Sequence, residues 1–279
     1  MRQTVRRLRG KRLTALKQMA KEVYSVVHPL LGKSKSGKVL GAGYGGDKTR
    51  FIDAVAEEAI VRHLKRNRAS CTFIGEERGV EEIGDKSDLY LIADAVDGTT
   101  NAVRGIGFVS ASLAVSPTDR LDDLEAAVVI DLSNGAIYEA EKGKGARHMG
   151  KKIEPSDISV LEEAVLSVDV SRSPETVEKV VPLMKTVKSV RSLGSAALEI
   201  CHVASGFIDA YVDIRTKLRT LDFAAGMLVL KEAGGLFIQP DGRGFEGVSL
   251  TELSRFSVIA AANEEICGEI ASLLHRSPR

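Results

Sequence analysis

The stretch "LIADAVDGTTNAVRG" (residues 91–105) ends an apolar run in two aspartates, Asp94 and Asp97, followed at once by Gly98-Thr99-Thr100. Two carboxylates this close repel one another unless something positive sits between them. A helix opened by Gly98-Thr99-Thr100 would present free backbone N–H groups and the positive end of its dipole, which together make an anion site. Carboxylates beside an anion site imply cations bridging the two, and oxygen-only ligands select hard ions such as Mg²⁺. A plainer reading stays open: one aspartate caps the next helix and the other is a solvated turn residue.

Two more carboxylate positions bear on the choice. In "FIGEERG" a second strand-like run ends in Glu76-Glu77; taken alone this is an exposed acidic turn. In "LRTLDFAAGMLVLKEAGG" Asp222 reads as the N-cap of a helix over 223–233, stopped by Gly234-Gly235. The small residues Ala224-Ala225-Gly226 let that helix approach a neighbour closely.

The elements that must carry these residues fall into two halves. Leu13, Leu16, Met19, Val23, Val26, Val27 and Leu30 have helical spacing. Residues 32–48 are rich in Gly, Ser and Lys and read as a long loop of the kind that is often functional. A helix is expected from about Thr49 to His63. A short strand is expected within 71–79, a second from Leu89 to about Ala93 and a third at 108–117, and "AAVVIDLSNGAIYEAEKG" reads as a hairpin with Asn134-Gly135 in a tight primed turn. After residue 160 strands alternate with helices, including helices near 175–187, from Ser195 and from Glu264. The division predicts an α+β domain over 1–160 and an α/β domain over 161–279.

With 279 residues the chain can bury a sizeable core, and 44% apolar with 28% charged residues is an ordinary soluble composition. A net charge of +1 gives no global case for a nucleic-acid or membrane partner. The start "MRQTVRRLRGKR" holds six positive charges, read here as the solvated face of an amphipathic first helix. Cys71, Cys201 and Cys267 form no CxxC pair, which points to a reducing, cytoplasmic setting. His28, His63, His148, His202 and His275 show no metal-ligand spacing, and Gly41–Gly46 lacks the strand and lysine of a nucleotide loop.

The set "GEE…DxxDGTTN…LDxAAG" resembles the inositol monophosphatase superfamily, which includes fructose-1,6-bisphosphatases and the bifunctional enzymes of archaea. The resemblance runs from about residue 47 to 235. It implies a layered α-β-α-β-α sandwich of the sugar-phosphatase type and a Mg²⁺-dependent phosphomonoester hydrolase. Two or three ions are implied, with Mn²⁺ a substitute. Glu76, Asp94, Asp97, Asp222 and the carbonyl of Val96 would be metal ligands, and Asp47 the ligand of a third ion. Gly98 and Thr99 would hold the phosphate. The Thr99 hydroxyl and Asp53 would orient the attacking water, with Glu76 also serving catalysis and Glu77 standing behind it. Ala95 and Leu221 occupy positions where members often carry proline and tryptophan.

"RSLGSAALEICHVASGFIDAY" resembles the family's substrate segment, so Gly194, Ser195 and Ala196 would face a sugar or inositol ring. Arg172, Arg191, Arg215 and Lys217 can meet a second phosphate, since Arg forks match phosphate oxygens; scattered surface charge is the other reading. The expected substrates are inositol monophosphate, fructose 1,6-bisphosphate or both, handled by a homodimer without nucleic-acid or membrane partners. The alternatives are 3′-phosphoadenosine 5′-phosphate, NADP, or a non-catalytic phospholigand-binding homologue.

Overall fold

The computed structural model describes residues 12–44, 46 and 48–275. Apart from Arg12, the basic start lies outside the described residues, as does Asp47. Five layers stack around three apolar cores.

The first layer is α1 (Arg12–Val27) and α2 (Phe51–Arg66). In α1 Leu16, Met19, Ala20, Val23 and Val27 are buried, the helical stripe that the spacing predicted. The chain then forms a hairpin where the sequence reads as a loop: β1 (Val39–Ala42) pairs antiparallel with β2 (Lys48–Arg50). Strand β1 is exposed along its whole length, so no buried alternation marked it in the sequence. Helix α2 starts two residues later than expected and runs three further.

The second layer is an eight-stranded sheet, in the order β10-β9-β8-β7-β6-β5-β3-β4. Its strands are β3 (Cys71–Gly75), β4 (Gly79–Ile83), β5 (Tyr90–Asp97), β6 (Ser110–Ser116), β7 (Ala126–Asp131), β8 (Ile137–Glu141), β9 (Ala146–His148) and β10 (Lys151–Lys152). Only β3 and β5 run parallel. Phe73, Leu91, Leu113 and Val128 pack toward α1 and α2, while Ile74, Ile92, Ala114 and Val129 pack the other way. Both faces are therefore covered, and the strands alternate between two cores rather than between core and water.

Between β5 and β6 lies the short helix α3 (Thr99–Arg104). The turn joining β7 and β8 differs from the expected primed turn. Only Gly135 has positive φ (80°), and the Asp131 carboxylate folds the loop by accepting from Ser133 N (2.7 Å) and Asn134 Nδ2 (2.8 Å).

The other layers come from the second half of the chain. A five-stranded sheet holds β11 (Val165–Val168), β12 (Ser189–Arg191), β13 (Ala210–Leu218), β14 (Leu236–Ile238) and β15 (Phe256–Ala261), in the order β12-β11-β13-β15-β14. Outside it pack α4 (Pro174–Thr186) and α7 (Glu264–His275), through Val180, Leu183, Ile266 and Ile270. Between the two sheets lie α5 (Ala196–Ala204) and α6 (Thr220–Ala233), apolar on nearly every side. A Cβ on Gly226 would meet Ala197 O at 3.1 Å, so the small residues of α6 do serve close approach to α5. The order of layers is α-β-α-β-α. No helix among the described residues is long and apolar enough to cross a membrane.

Candidate active site

Strand β5 does not stop at Ala93; it runs to Asp97 with an irregularity between Asp94 and Asp97. Asp94 pairs with Ser112 and Asp97 with Ser110, so β5 carries one residue more than its partner there. Three residues apart on a regular strand, two side chains point to opposite faces. The extra residue of the bulge cancels that offset, and both aspartates line one cleft of ≈ 210 Å³.

Glu76, Asp222, Val96, Gly98 and Thr99 line the same cleft. Glu76 stands just beyond β3, in a turn shaped from below by Glu57. Glu57 accepts from the N–H groups of Glu77 (3.0 Å) and Arg78 (2.9 Å), and burial pushes its carboxyl up to about 7. Asp222 is not the N-cap expected from the sequence. Helix α6 begins earlier, Arg219 is the cap, and Asp222 at the third helical position accepts from Arg219 N (2.7 Å). Helix α2 opens the same way, with Asp53 accepting from Arg50 N (3.0 Å). An Arg-x-x-Asp pair thus starts both α2 and α6.

Asp97 holds the two halves together. Its carboxylate accepts from Ser195 Oγ (2.7 Å), Ala196 N (3.2 Å) and Ala197 N (2.8 Å), which caps α5 from a distant strand. Ser195 therefore turns its hydroxyl inward rather than toward a ring in the cleft, whereas Gly194 and Ala196 do line the cleft. Asn101, given no role in the sequence reading, donates to the carbonyls of Phe108 and Leu193 (2.7 Å each) and fixes the same segment.

Glu76, Asp94, Asp97 and Asp222 share this space, with Asp169 on the wall beside Arg215. Burial raises Asp94 well above its ordinary range, with Glu76, Asp97 and Asp222 adding repulsion. Burial raises Glu76 as well, against the pull of Arg219. Asp97 is pushed up to about 7 by burial, although its bonds from Ser195 and Ala197 oppose the rise. Beside them Thr99 Oγ1 donates to Asp53 Oδ1 (3.0 Å) and lies 3.1 Å from Val96 O. Burial pushes Asp53 up to about 7, near neutrality.

Gly98 has φ +94°, and a Cβ there would meet Gly194 O at 2.9 Å and Phe108 O at 3.2 Å. Only glycine suits both the backbone angle and the crossing chain. Gly98→Ala is expected to cost on the order of 2 kcal/mol. A fall in the urea midpoint checks it; an unchanged midpoint would refute the crowding.

Of the four basic candidates, Arg215 and Lys217 meet at residues 171–172, where Arg215 NH1 also reaches the Ser171 carbonyl (3.4 Å). Arg215 lines the cleft, but Asp213 holds it through Nε (2.9 Å) and NH2 (2.5 Å), and Asp169 through NH2 (2.7 Å). Lys217 Nζ donates to the carbonyls of Ser171 (3.2 Å) and Arg172 (2.9 Å), and Arg191 to Val190 O (2.9 Å). Arg172, Arg191 and Lys217 are not among the residues lining the cleft. Nearby carboxylates and carbonyls have taken Arg215, Arg191 and Lys217.

Sequence reasoning also missed Arg219. Its NH2 lies 2.6 Å from Glu76 Oε1 and 3.1 Å from Asp222 Oδ1. Among the described residues no three His, Cys, Asp or Glu side chains already form a metal cage. The guanidinium lies where two of the carboxylates would have to converge. The donor set is all oxygen and carries more negative than positive charge, which suits a hard divalent cation.

A carboxylate-lined cleft beside a helix N-terminus, on a sandwich of this layering, fits the class of phosphoric monoester hydrolases to which the family match assigns the chain. The chain belongs to the inositol monophosphatase family, whose pattern matches residues 10–279. It is 35% identical to a fructose-1,6-bisphosphatase/inositol-1-monophosphatase of Methanothermobacter thermautotrophicus, over 92% of this chain and 94% of that one. It is 34% identical to a bifunctional NADP phosphatase/NAD kinase of Methanococcus maripaludis, over 87% of this chain and 46% of that one. A crystal structure of an inositol monophosphatase–fructose 1,6-bisphosphatase superposes with a TM-score of 0.81 at 29% identity, covering 93% of this chain and 98% of the other.

Proposed function

We propose that the protein hydrolyses phosphomonoesters of sugars or inositol with Mg²⁺, fructose 1,6-bisphosphate and inositol monophosphate being its substrates. The observation that carries this is the meeting of Glu76, Asp94, Asp97 and Asp222 in one cleft beside the Asp53–Thr99 pair. The relatives named for both activities support the substrate class. These four carboxylates and the Val96 carbonyl would hold two ions, Mn²⁺ substituting, with Asp47 reserved for a third. Bound there, such ions supply a water of lowered pKa and neutralise charge at the leaving oxygen.

The chain's own groups do the rest. Backbone N–H groups of Gly98 and Thr99 hold the phosphate oxygens at the start of α3. The Thr99 oxygen accepts a hydrogen bond from the attacking water, aims it at phosphorus and donates its own proton toward Asp53. With its carboxyl near neutrality, Asp53 is matched to take that proton. Gly194 and Ala196 line the wall against which a ring would lie. Residues 1–160 supply most of the site and 161–279 complete it through Asp222. A cytoplasmic homodimer extends the same reading.

A second substrate reading rests on the relative with an NADP phosphatase half, which this chain matches over about half of that relative's length. The engagement of Arg215 by Asp169 and Asp213 takes up one candidate for a second phosphate, which bears on fructose 1,6-bisphosphate as much as on the nucleotides. Phosphate release from fructose 1,6-bisphosphate, inositol monophosphate, NADP and 3′-phosphoadenosine 5′-phosphate, with Mg²⁺ and with EDTA, separates these. We expect Mg²⁺-dependent turnover, with kcat/KM highest for one of the first two. A nucleotide preferred over both would overturn the substrate class, and no release from any would overturn the reading.

A further inference from the structure

We propose that Arg219 is a built-in counter-cation: it holds Glu76 and Asp222 together while no divalent ion is bound and must let go when one enters. The inference rests on the reading of these carboxylates as metal ligands.

Arg219 is 8% exposed, and a single nitrogen, NH2, reaches both carboxylates, Glu76 Oε1 at 2.6 Å and Asp222 Oδ1 at 3.1 Å. These oxygens come from different halves of the chain, one after β3 and the other in the first turn of α6. The guanidinium is thus the group that spans them. Its backbone is fixed independently, since Arg219 N donates to the other oxygen of Asp222 (2.7 Å). The side chain can therefore leave without unravelling the start of α6.

Charge gives the reason. Asp94, Asp97, Glu76 and Asp222 all line one cleft, and the cations lining it are Arg215 and Arg219. Arg215 is committed to Asp213 and to Asp169, which lines the cleft as well. Arg219 is left to offset the acid cluster. Removing one partner of a buried ion pair leaves an uncompensated charge, which is strongly destabilising. A divalent ion needs the same lone pairs on Glu76 and Asp222 that the guanidinium uses, and brings like charge against it. Exchange at those oxygens follows, rather than coexistence. Part of the affinity for the ion is then lost to displacing Arg219.

The test compares EDTA-stripped wild type, Arg219→Met and Arg219→Lys by calorimetric Mn²⁺ titration and by melting with and without Mn²⁺. Methionine keeps the length of the side chain and removes the charge. Arg219→Met is expected to bind Mn²⁺ about ten-fold tighter, a coupling of ordinary size. It should also melt lower than wild type without metal and gain more on adding Mn²⁺. Arg219→Lys, with charge but no fork, should fall between. Binding by Arg219→Met that is equal or weaker, or an unchanged melting point without metal, would overturn the proposal. Should Arg219→Met not fold, nitrogen NMR of the wild-type guanidinium decides: its signals must shift on Mg²⁺ saturation, and unchanged signals overturn the proposal. Wild type that binds no Mn²⁺ would overturn both this inference and the metal reading beneath it. Equal affinities in all three proteins would overturn this inference alone.

Discussion

Asp97→Asn is expected to lower phosphate release by roughly 10³-fold, because loss of a carboxylate from a cation site removes several kcal/mol of transition-state charge stabilisation. The same side chain also caps α5, so the fold must be followed separately. The asparagine keeps one carbonyl oxygen for the donors at Ser195, Ala196 and Ala197, but its amide faces one of them. That mismatch costs about 1–3 kcal/mol. Removing a buried charge offsets part of it, since burial already pushes the Asp97 carboxyl up to about 7. Circular dichroism should therefore be unchanged and melting only a few degrees lower. Full turnover in this variant would remove Asp97 from the site, whereas an unfolded protein would make its role structural first.

Asp53→Asn is expected to lower kcat/KM by roughly 10²- to 10⁴-fold, the range of a lost general base. The pH dependence identifies the role. A base works only when ionised. Burial pushes Asp53 up to about 7, the bonds from Arg50 and Thr99 oppose the rise, and Glu76 and Glu77 add to it. In wild type, kcat/KM should rise with pH to an inflection at or below about pH 7 and level off above it. Cations that neutralise Glu76 move the inflection down, never up. The asparagine variant should lack this limb. A wild-type limb retained in the variant would assign the proton transfer elsewhere.

The carboxylates were legible in the sequence because three short motifs in fixed order carry them. Their convergence was not. A strand read as ending at Ala93 leaves Asp94 and Asp97 in a turn. The bulge that turns both to one side depends on pairing with Ser110 and Ser112, which lie beyond a helix. Asp222 looked like a helix N-cap, yet it sits at the third helical position behind an arginine, as Asp53 does in α2. A one-turn shift of this kind is invisible when cap and first turn are both polar. The partners of the basic candidates were hidden for a related reason. Arg215 finds Asp213 two residues away, which spacing permits, but also Asp169, which only the pairing of β11 with β13 brings near. Arg219 was overlooked because its partner Glu76 is 143 residues away. The layers were easier to read, since α1, β3, β5 and α6 carry their burial pattern in their own apolar residues. The exposed hairpin of β1 and β2 has none.

Glu76, Asp94, Asp97 and Asp222 are expected to form a divalent-cation site for phosphoryl hydrolysis. Crystals soaked in Mn²⁺ and inorganic phosphate, measured for anomalous scattering, test it most directly. Mn²⁺ peaks should lie within bonding distance of these four side chains and the Val96 carbonyl, with phosphate against Gly98 and Thr99. A cleft without Mn²⁺ at saturating concentration, or Mn²⁺ bound only elsewhere on the protein, would contradict it.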